Sequence, residues 1–416
     1  MPIAIISTGT ELLKGCCCNT NSAFAGNLLT RHGLPPVLEI SAGDRSGELF
    51  FAVSTALKKA DILIISGGLG PTSDDITLET AARFFNLDLI IEPVLQKKVE
   101  SFWTLRHGKS HCPKSQYKQA QIPSGGEYFD NPCGVASGIG FHTLYDGKQR
   151  HIFLLPGPPA EFENVFSEKI LDEILKISEQ KKYTSSFMIC NTGEAIVARK
   201  AEPMLKAFPI EIAYTAIPGG TKLFLSGSDR SVVETAIAKA HDLFPDNALP
   251  INCPSAAKYI IDTLKSSDST LGCAESCTGG LVANELVAIP GASAVFKGSI
   301  TAYANEIKQN LLSVPESILA EFGAVSKECA EAMALGACKS LNCDCSISTT
   351  GIAGPDGGTP EKPVGLVFVG AAYKGVCAVR QLNLRGNRRM IRERAVAGAL
   401  NLLIDLLKSP EKESLC

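Results

Sequence analysis

The stretch that decides the fold of the first half of the chain is Asp61-Ile62-Leu63-Ile64-Ile65-Ser66-Gly67-Gly68-Leu69-Gly70-Pro71. An apolar, β-branched run that leads straight into a glycine-rich turn is typical of a strand buried on both faces. Residues 4–7 and 151–155 repeat this pattern, and helical periodicity follows each turn. Strands of this kind separated by helices predict a parallel sheet covered on both sides. Ligands bind such sheets at the carboxyl ends of the strands, where these turns fall.

The rest of the chain divides by the same signals. At about 150 residues per domain, 416 residues predict two to four domains. We place an α/β domain at residues 1–172, a small α+β module with alternating strands at 173–252, and a second α/β domain at 253–416. In the last domain we predict strands at 270–273, 295–303, 344–348, 364–372 and 376–384, a helix at 390–407 and a polar tail at 408–416. A charged helical tract is predicted at 168–182. The predicted fold class is therefore α/β, with two domains of mainly parallel sheet joined by the small module.

Composition excludes several classes of protein. Hydrophobic residues make up 45% of the chain and charged residues 20%, which excludes disorder, and a net charge of −3 argues against nucleic-acid binding. No apolar run reaches the ~18 residues of a membrane helix, and the chain start lacks a signal peptide, so we expect a cytoplasmic protein. We expect most of the 15 cysteines to be reduced and buried as small apolar residues rather than to bind zinc.

Three segments of the last domain place polar groups at predicted strand ends. Ala274-Glu275-Ser276-Cys277-Thr278-Gly279-Gly280-Leu281 follows a strand and opens a helix, so Ser276 is either a helix cap or a nucleophile beside unpaired N–H groups. Lys308 lies just inside a helix, and the glycine loop at 349–358 can present successive N–H groups to an anion. Arg388 is suited to bind phosphate, or else belongs to a cationic surface patch.

These segments resemble the carboxy-terminal domain of the CinA family, which is similar to nicotinamide mononucleotide amidohydrolases. The resemblance covers about residues 255–408 and includes Gly323-Ala324-Val325-Ser326 and Lys362-Pro363-Val364-Gly365. It implies hydrolysis of nicotinamide mononucleotide (NMN) to nicotinic acid mononucleotide and ammonia, without a cofactor. It also implies that Ser276 is the nucleophile, that Lys308 accepts its proton, and that the hydroxyls of Tyr303 and Thr350 support them. The residues implied to bind the substrate are Cys277, Thr278, Gly279, Ser293, Gly351, Gly354 and Arg388.

The implied chemistry suits serine and lysine. Serine must lose its proton as it attacks an amide, and lysine accepts that proton only if its pKa falls from about 10.4 towards neutrality. We expect burial beside another cation, such as Arg388, to lower the pKa of Lys308, and N–H groups after Ser276 to stabilise the oxyanion. Cys277 is the alternative nucleophile, although the motif contains no histidine to activate it.

The densest polar signal of the first half lies at residues 66–77. Its glycines let a phosphate approach the strand end, and the acids that follow either hold a divalent cation or favour the start of a helix. Residues 3–170 resemble the molybdopterin-binding fold, which also forms the front half of CinA proteins, through the segments 9–15, 43–44, 67–77 and 155–161. The nucleotide site implied by this resemblance consists of Gly9, Thr10, Glu11, Gly67, Gly68, Gly70 and Thr72.

The same resemblance implies metal-dependent hydrolysis of ADP-ribose. Its Mg²⁺, Mn²⁺ or Co²⁺ ion would be held by Asp44, Asp74 and Asp75. Three positions depart from the family pattern, and these departures weaken the implied activity. Asn19 stands where an aspartate is usual, Gln116 replaces an asparagine, and Val135 replaces a threonine.

The middle module, with Thr192-Gly193-Glu194, resembles the KH-type domain of full-length CinA proteins. Pro218-Gly219-Gly220-Thr221 does not supply the Gly-x-x-Gly clamp of RNA-binding KH domains, so we expect a spacer that supports a homodimer. The leading interpretation is an enzyme of NAD salvage that acts on small nucleotides, as in the pyridine nucleotide cycle. The alternative is a non-catalytic pterin- or nucleotide-binding protein with a competence- or damage-related role.

Overall fold

The computed structural model describes residues 1–108, 111–178 and 182–408. The chain forms two compact units, one of Met1–Thr184 with Ser226–Arg230 and the other of Ser185–Leu225 with Ser231–Cys416. Most of the predicted small module therefore falls in the second unit, together with the last domain. Residues 409–416 of the predicted tail and 179–181 of the predicted charged tract lie outside the described residues.

The first unit contains a six-stranded sheet in the order β2-β1-β3-β8-β7-β6. Its strands are β1 (Ile3–Thr8), β2 (Leu38–Ala42), β3 (Ile62–Ser66), β6 (Glu127–Phe129), β7 (Gly138–Tyr145) and β8 (Lys148–Leu155), while β4 (Leu89–Ile91) and β5 (Gln121–Pro123) form a separate pair. The helices are α1 (Thr10–Leu13), α2 (Thr20–Arg31), α3 (Ser46–Leu57), α4 (Thr77–Phe85), α5 (Pro93–His107), α6 (Pro159–Val165) and α7 (Leu171–Ile177). A 3-10 turn spans Lys114–Ala120, and a π turn at Phe166–Ile170 joins α6 to α7. Strands β2, β1, β3 and β8 are mutually parallel, and β7 and β6 add antiparallel pairs at one edge.

The apolar runs of the sequence become the central strands of this sheet. Every residue of β1 and of β3 is buried. Alternate side chains of β1 enter two different cores: Ile6 packs in the core that contains Leu49 of α3, and Ile5 packs in the core that contains Leu29 of α2. Helices therefore cover both faces, which confirms the α/β prediction for this half of the chain.

The second unit contains a five-stranded sheet in the order β13-β12-β14-β15-β16. Its strands are β12 (Leu271–Glu275), β13 (Phe296–Thr301), β14 (Cys345–Gly351), β15 (Leu366–Tyr373) and β16 (Val376–Asn383). Its helices are α10 (Ala256–Ser266), α11 (Leu281–Val287), α12 (Asn305–Leu312), α13 (Glu316–Glu321), α14 (Lys327–Ser340) and α15 (Arg388–Lys408), with a 3-10 turn at Ala292–Ala294. All five predicted strands and the predicted last helix are present. Strand β12 runs parallel to β13 and β14, while β15 and β16 are antiparallel additions.

Helices also cover both faces of the second sheet. Cys273 of β12 packs in a core with residues of α10 and α15, and its neighbour Ala274 packs in a core with Met333 of α14. The small module adds a three-stranded sheet in the order β10-β11-β9. Its elements are β9 (Tyr183–Cys190), α8 (Glu194–Leu205), β10 (Glu211–Ile217), β11 (Gly220–Gly227) and α9 (Arg230–Asp242). Strand β11 alternates between buried and half-buried residues, as its sequence predicts.

The cysteines are distributed more widely than we predicted. Of the 14 described cysteines, all are free, and only six are buried. The prediction that most cysteines are buried is therefore wrong, and Cys16, Cys17, Cys18 and Cys133 are exposed to solvent. Within the described ranges, no helix combines the length and the apolarity needed to cross a membrane.

Candidate active site

Ser276 lies in the turn between β12 and α11, at the carboxyl end of a central parallel strand. Its backbone N–H donates to the Thr349 carbonyl oxygen at 2.9 Å, which fixes the turn to the end of β14. The side chain is only 8% exposed. The serine that sequence reasoning selected therefore sits where parallel strands place ligand-binding groups.

The residue before it, Glu275, is a fully buried carboxylate that organises the turn. Oε2 accepts hydrogen bonds from the Thr278 hydroxyl and from the backbone N–H groups of Gly280 and Val282, at 2.8, 2.8 and 3.0 Å. Oε1 accepts from the Ala283 N–H at 2.9 Å and from the Ser299 hydroxyl at 3.1 Å. The first N–H groups of α11 are thus satisfied by this carboxylate.

This arrangement corrects the expectation that the N–H groups of the helix start surround Ser276. Those of Gly280, Val282 and Ala283 point to Glu275 instead. Among the described residues, nothing accepts a hydrogen bond from the N–H groups of Thr278 and Gly279. These two donors lie between Ser276 and the helix and are available to a ligand oxygen.

Lys308, near the start of α12, is the partner of Ser276. Its Nζ lies 3.2 Å from Ser276 Oγ, 2.8 Å from the Ala302 carbonyl oxygen and 3.0 Å from the Tyr303 carbonyl oxygen. The side chain is only 1% exposed. Burial lowers the pKa of the Lys308 amino group below its ordinary value of 10.5. We expected the charge of Arg388 to help lower the pKa of Lys308, but burial alone lowers it. The Arg388 guanidinium contacts other groups.

The hydrogen bonds of the Lys308 amine indicate where its lone pair points when the amine is neutral. A charged ammonium has three N–H donors, whereas the neutral amine has two donors and one lone pair. The two backbone carbonyls take two donors in either state. In the neutral state the lone pair is therefore left for the hydroxyl proton of Ser276.

Cys277 also lies in the turn, but its thiol is poorly suited to attack. Burial raises the pKa of the Cys277 thiol to about 11. It is therefore protonated near neutral pH, and the thiolate is the reactive form of cysteine. The geometry and the pKa both favour Ser276 over its neighbour.

Arg388, at the first position of α15, joins two of the predicted segments. Its guanidinium donates to the Gly354 carbonyl oxygen at 2.7 Å and lies 3.4 Å from the Tyr303 hydroxyl. The side chain of Tyr303 is 64% exposed, so its backbone carbonyl contacts Lys308 while its hydroxyl reaches towards Arg388. The Thr350 hydroxyl, by contrast, is buried and donates to the Ala324 carbonyl oxygen at 2.6 Å.

The remaining predicted substrate-binding residues have varied surroundings. The Thr278 hydroxyl is buried between Glu275 and Thr349, so it supports the turn. A Cβ on Gly351 would lie 2.8 Å from the Leu366 carbonyl oxygen, so this glycine is explained by strand packing. Ser293 is placed incorrectly by the sequence prediction, because it precedes β13 at the amino-terminal edge of the sheet. The register Leu271 with Phe296 puts it at the opposite end from Ser276.

The first unit holds a second candidate site, a cavity of about 710 Å³ at the carboxyl ends of β1, β3 and β8. The predicted nucleotide-site residues that line it are Gly9, Glu11, Gly67, Gly68 and Gly70. Asn19, Gln116 and Val135, the three departures from the family pattern, line it as well. Thr10 and Thr72 are not among the lining residues: the Thr10 N–H donates to Asp44 at 2.8 Å, and the Thr72 side chain contacts Asp74 and Asp75.

The predicted metal ligands, Asp44, Asp74 and Asp75, all line this cavity. Each already accepts a hydrogen bond from a neighbouring threonine, and the Thr72 hydroxyl lowers the pKa of Asp74. Within the part of the chain that the structure describes, no group of three or more His, Cys, Asp or Glu side chains is placed to hold a metal ion. The carboxylates are suitable ligands by chemistry, but they do not form a preassembled metal centre.

Comparison with known proteins gives two family matches. Residues 254–407 match the CinA C-terminal domain, and residues 4–176 match the "Probable molybdopterin binding domain". A CinA-like protein of Dictyoglomus thermophilum is 36% identical over 410 residues, which cover 97% of this chain and 98% of that protein. The chain belongs to the CinA family. A CinA-like protein of Kosmotoga olearia is 35% identical over the same proportions of both chains. Among solved structures, competence/damage inducible protein CihA from Agrobacterium tumefaciens is 38% identical, with 36% of this chain and 93% of that chain covered and a TM-score of 0.36.

Two residues of this CinA-family chain that hold the candidate site together were not predicted from the sequence. Glu275 lies inside the motif that was singled out. An acidic residue beside a serine is expected to be exposed to solvent, and the sequence does not show that this one is buried. Arg392 donates to the carbonyl oxygens of Cys277 and Thr278 and so holds the turn that follows Ser276 from α15. Arg392 follows Arg388 by one helical turn. Because residues four apart share a helix face, this spacing could have predicted that Arg392 also faces the site.

Proposed function

We propose that this CinA-family protein hydrolyses the carboxamide of NMN to a carboxylate and ammonia at Ser276. The single observation that carries the proposal is the buried contact of 3.2 Å between Lys308 Nζ and Ser276 Oγ. A serine hydroxyl needs a neighbouring base to attack an amide, and a lysine with a lowered pKa is such a base.

The residues suggest an order of events. Neutral Lys308 takes the proton of Ser276 as Oγ bonds to the amide carbon, and the N–H groups of Thr278 and Gly279 stabilise the negative oxygen. The protonated Lys308 then gives its proton to the amide nitrogen, which leaves as ammonia. Water attacks the resulting ester, again losing its proton to Lys308, and the free carboxylate departs as Ser276 is reprotonated.

We propose a mononucleotide substrate because the positively charged Arg388 lies at one end of the site. Arg388 is held at the mouth of the glycine loop by the Gly354 carbonyl oxygen, and its guanidinium retains further N–H donors. A guanidinium of this kind binds phosphate oxygens in pairs. The amide would then lie towards Ser276 and the phosphate towards Arg388.

The test compares NMN with nicotinamide riboside, which carries the same amide but no phosphate. We expect ammonia from NMN, and a much smaller kcat/KM for the riboside. Arg388→Gln should raise the KM for NMN about tenfold and leave the riboside almost unaffected, because only NMN has the phosphate. Equal effects of Arg388→Gln on both compounds would contradict the assigned orientation.

A second activity, hydrolysis of ADP-ribose, is favoured by the cavity of the first unit. Its volume of about 710 Å³ suits a dinucleotide-sized ligand. The lining carries five carboxylates (Glu11, Asp44, Asp74, Asp75 and Glu161) against Arg106, so a pyrophosphate needs added cations there. AMP release from ADP-ribose should thus require Mg²⁺, Mn²⁺ or Co²⁺, and no AMP with any of them would reject this activity.

A further inference from the structure

Cys338 and Cys343 lie together where α14 ends and the chain turns towards β14. The Cys343 N–H donates to the Cys338 carbonyl oxygen at 3.0 Å, and the Asn342 N–H donates to the Lys339 carbonyl oxygen at 3.3 Å. Asn342 has a φ of +46°, so the helix ends in a Schellman motif. A side-chain contact between the two outer positions, usually an apolar one, frequently accompanies this motif. Here both positions carry thiols, and both cysteines are free.

The hydrogen bond between their backbones brings the two cysteines within the range of a disulfide. With standard bond lengths, an N–H···O contact of 3.0 Å places the two Cα atoms about 6.5 Å apart at most. Disulfides span Cα separations of about 4.4–6.8 Å. The side chains are in contact as well, because the Cys343 S–H donates a hydrogen bond to the Cys338 sulfur. Backbone and side-chain geometry therefore both suit a bond between the two sulfurs.

The Cys343 sulfur is packed between the turn and β12. It lies 3.2 Å from the Cys345 carbonyl oxygen and 3.8 Å from the Ala337 carbonyl oxygen. A Cβ on Gly272 of β12 would lie 2.8 Å from this sulfur, so the glycine leaves the room that the thiol occupies. Cys338 and Cys343 are only half-buried, so a small solute can reach the pair.

The two thiols differ in acidity. The hydrogen bond from Cys343 lowers the pKa of the Cys338 thiol to about 7, and the same hydrogen bond raises the pKa of the Cys343 thiol. A thiolate is the reactive form of cysteine, and a thiol with a pKa near the ambient pH attacks fastest. Cys338 is therefore the nucleophile of the pair, and Cys343 is its neighbour in reserve.

We propose that Cys338 and Cys343 form a peroxide-sensitive pair that closes to a disulfide across the end of α14. The Cys338 sulfur attacks one oxygen of hydrogen peroxide: an S–O bond forms, the O–O bond breaks, and the departing oxygen becomes water with the proton that Cys338 had lost. The Cys343 sulfur then attacks Cys338: the S–S bond forms, the S–O bond breaks, and the oxygen leaves with the Cys343 proton as a second water. The two thiols lose two electrons in total, and the peroxide gains them.

The pair lies at the edge of the sheet opposite to Ser276. Cys345, two residues after Cys343, is in register with Leu271 at the start of β12, whereas Ser276 follows the end of that strand. The oxidation is therefore independent of the reaction proposed for Ser276. Its structural effect is to close the last turn of α14, at the kind of position where helices fray.

Peptide mapping by mass spectrometry tests the proposal, because Lys339 lets trypsin cut between the two cysteines. The full chain is treated with hydrogen peroxide, alkylated with iodoacetamide and digested without reductant. We expect peptide 328–339 linked to peptide 340–374, lighter by two hydrogen atoms than the two thiol peptides together, and separated again by dithiothreitol. No linked peptide after peroxide treatment would overturn the proposal.

The same two peptides also contain Cys329 and Cys345, so fragmentation of the linked product must assign the bond. We expect the bond between Cys338 and Cys343. A bond through Cys329 or Cys345 would overturn the assignment.

Cys343→Ala and Cys345→Ala are matched variants, since each removes one thiol from the same tryptic peptide. Cys343→Ala should abolish the linked peptide. It should also slow alkylation of Cys338 at pH 7 at least about fivefold, because the loss of thiolate outweighs the higher nucleophilicity of a less acidic thiol. Cys345→Ala should leave both results unchanged. Equal losses in the two variants, or unchanged alkylation of Cys338 in Cys343→Ala, would contradict the pairing.

Discussion

Replacing Glu275 by glutamine tests how the turn that contains Ser276 is stabilised. The carboxylate accepts five hydrogen bonds, three at Oε2 and two at Oε1. Glutamine keeps one acceptor oxygen and places an NH₂ group at the other position. In the best orientation the oxygen serves the three donors of Oε2, and the Ser299 hydroxyl rotates to accept from the new amide.

The Ala283 N–H then has no acceptor, which costs about 1–3 kcal/mol for a buried group. The three surviving hydrogen bonds are weakened by about 1 kcal/mol each, because their acceptor is no longer charged. Burying a neutral amide costs less desolvation free energy than burying a carboxylate, which offsets part of this loss. The net loss of local stability is therefore about 3 kcal/mol, which corresponds to about 100-fold faster opening of the helix start.

Hydrogen exchange followed by mass spectrometry measures this opening in the full chain. The peptide that covers residues 276–287 should exchange about 100-fold faster in Glu275→Gln than in the wild type. Glu285→Gln is the matched control, because it makes the same change on the exposed face of the same helix. Exchange within about threefold of the wild type in Glu275→Gln, or an equal acceleration in the control, would refute the role given to this carboxylate.

Three further predictions concern neighbouring features. Lys308→Met should abolish ammonia release. In the wild type, between the lowered pKa of folded Lys308 and the unfolded value of 10.5, the unfolded state binds more protons, so the free energy of unfolding rises with pH. Thermal melting should show that Lys308→Met loses this rise. Arg392→Lys should reduce kcat for NMN about tenfold with little change in KM, because one ammonium cannot replace a guanidinium that contacts two carbonyls; a change in KM alone would contradict this. Gly67→Ala should destabilise the first unit by about 3 kcal/mol in a melting experiment, since φ is +101° and a Cβ would lie 2.5 Å from the Thr8 carbonyl oxygen; Gly147→Ala, with positive φ but open space, should cost only about 1 kcal/mol.

The local sequence pattern was sufficient to predict the strands and to place Ser276 and Lys308 after the strand ends. The central strands are continuous apolar runs, and such runs are buried by helices on both faces whatever the details of packing. The resemblance to the CinA family implied the pairing of Ser276 with Lys308, and each residue follows a predicted strand, so that both are expected at the edge where the carboxyl ends of parallel strands meet. Their contact of 3.2 Å agrees with that reasoning.

The errors arise where long-range packing decides the outcome. Ser293 was assigned to the substrate, but the return of α11 along the sheet carries it to the far edge. Arg388 was expected to lower the pKa of Lys308, yet burial does so, and burial depends on segments distant in sequence. The exposure of Cys133 likewise depends on where its loop lies, which residue type does not reveal.

Ammonia release from NMN by Ser276→Ala, compared with Cys277→Ala and the wild type, tests the central claim most directly. The account predicts that the wild type releases ammonia and nicotinic acid mononucleotide in equal amounts. Ser276→Ala should lose at least about 1,000-fold of this activity, because it removes the nucleophile, while Cys277→Ala should keep most of it. Full activity in Ser276→Ala, or no ammonia from the wild type, would contradict the account.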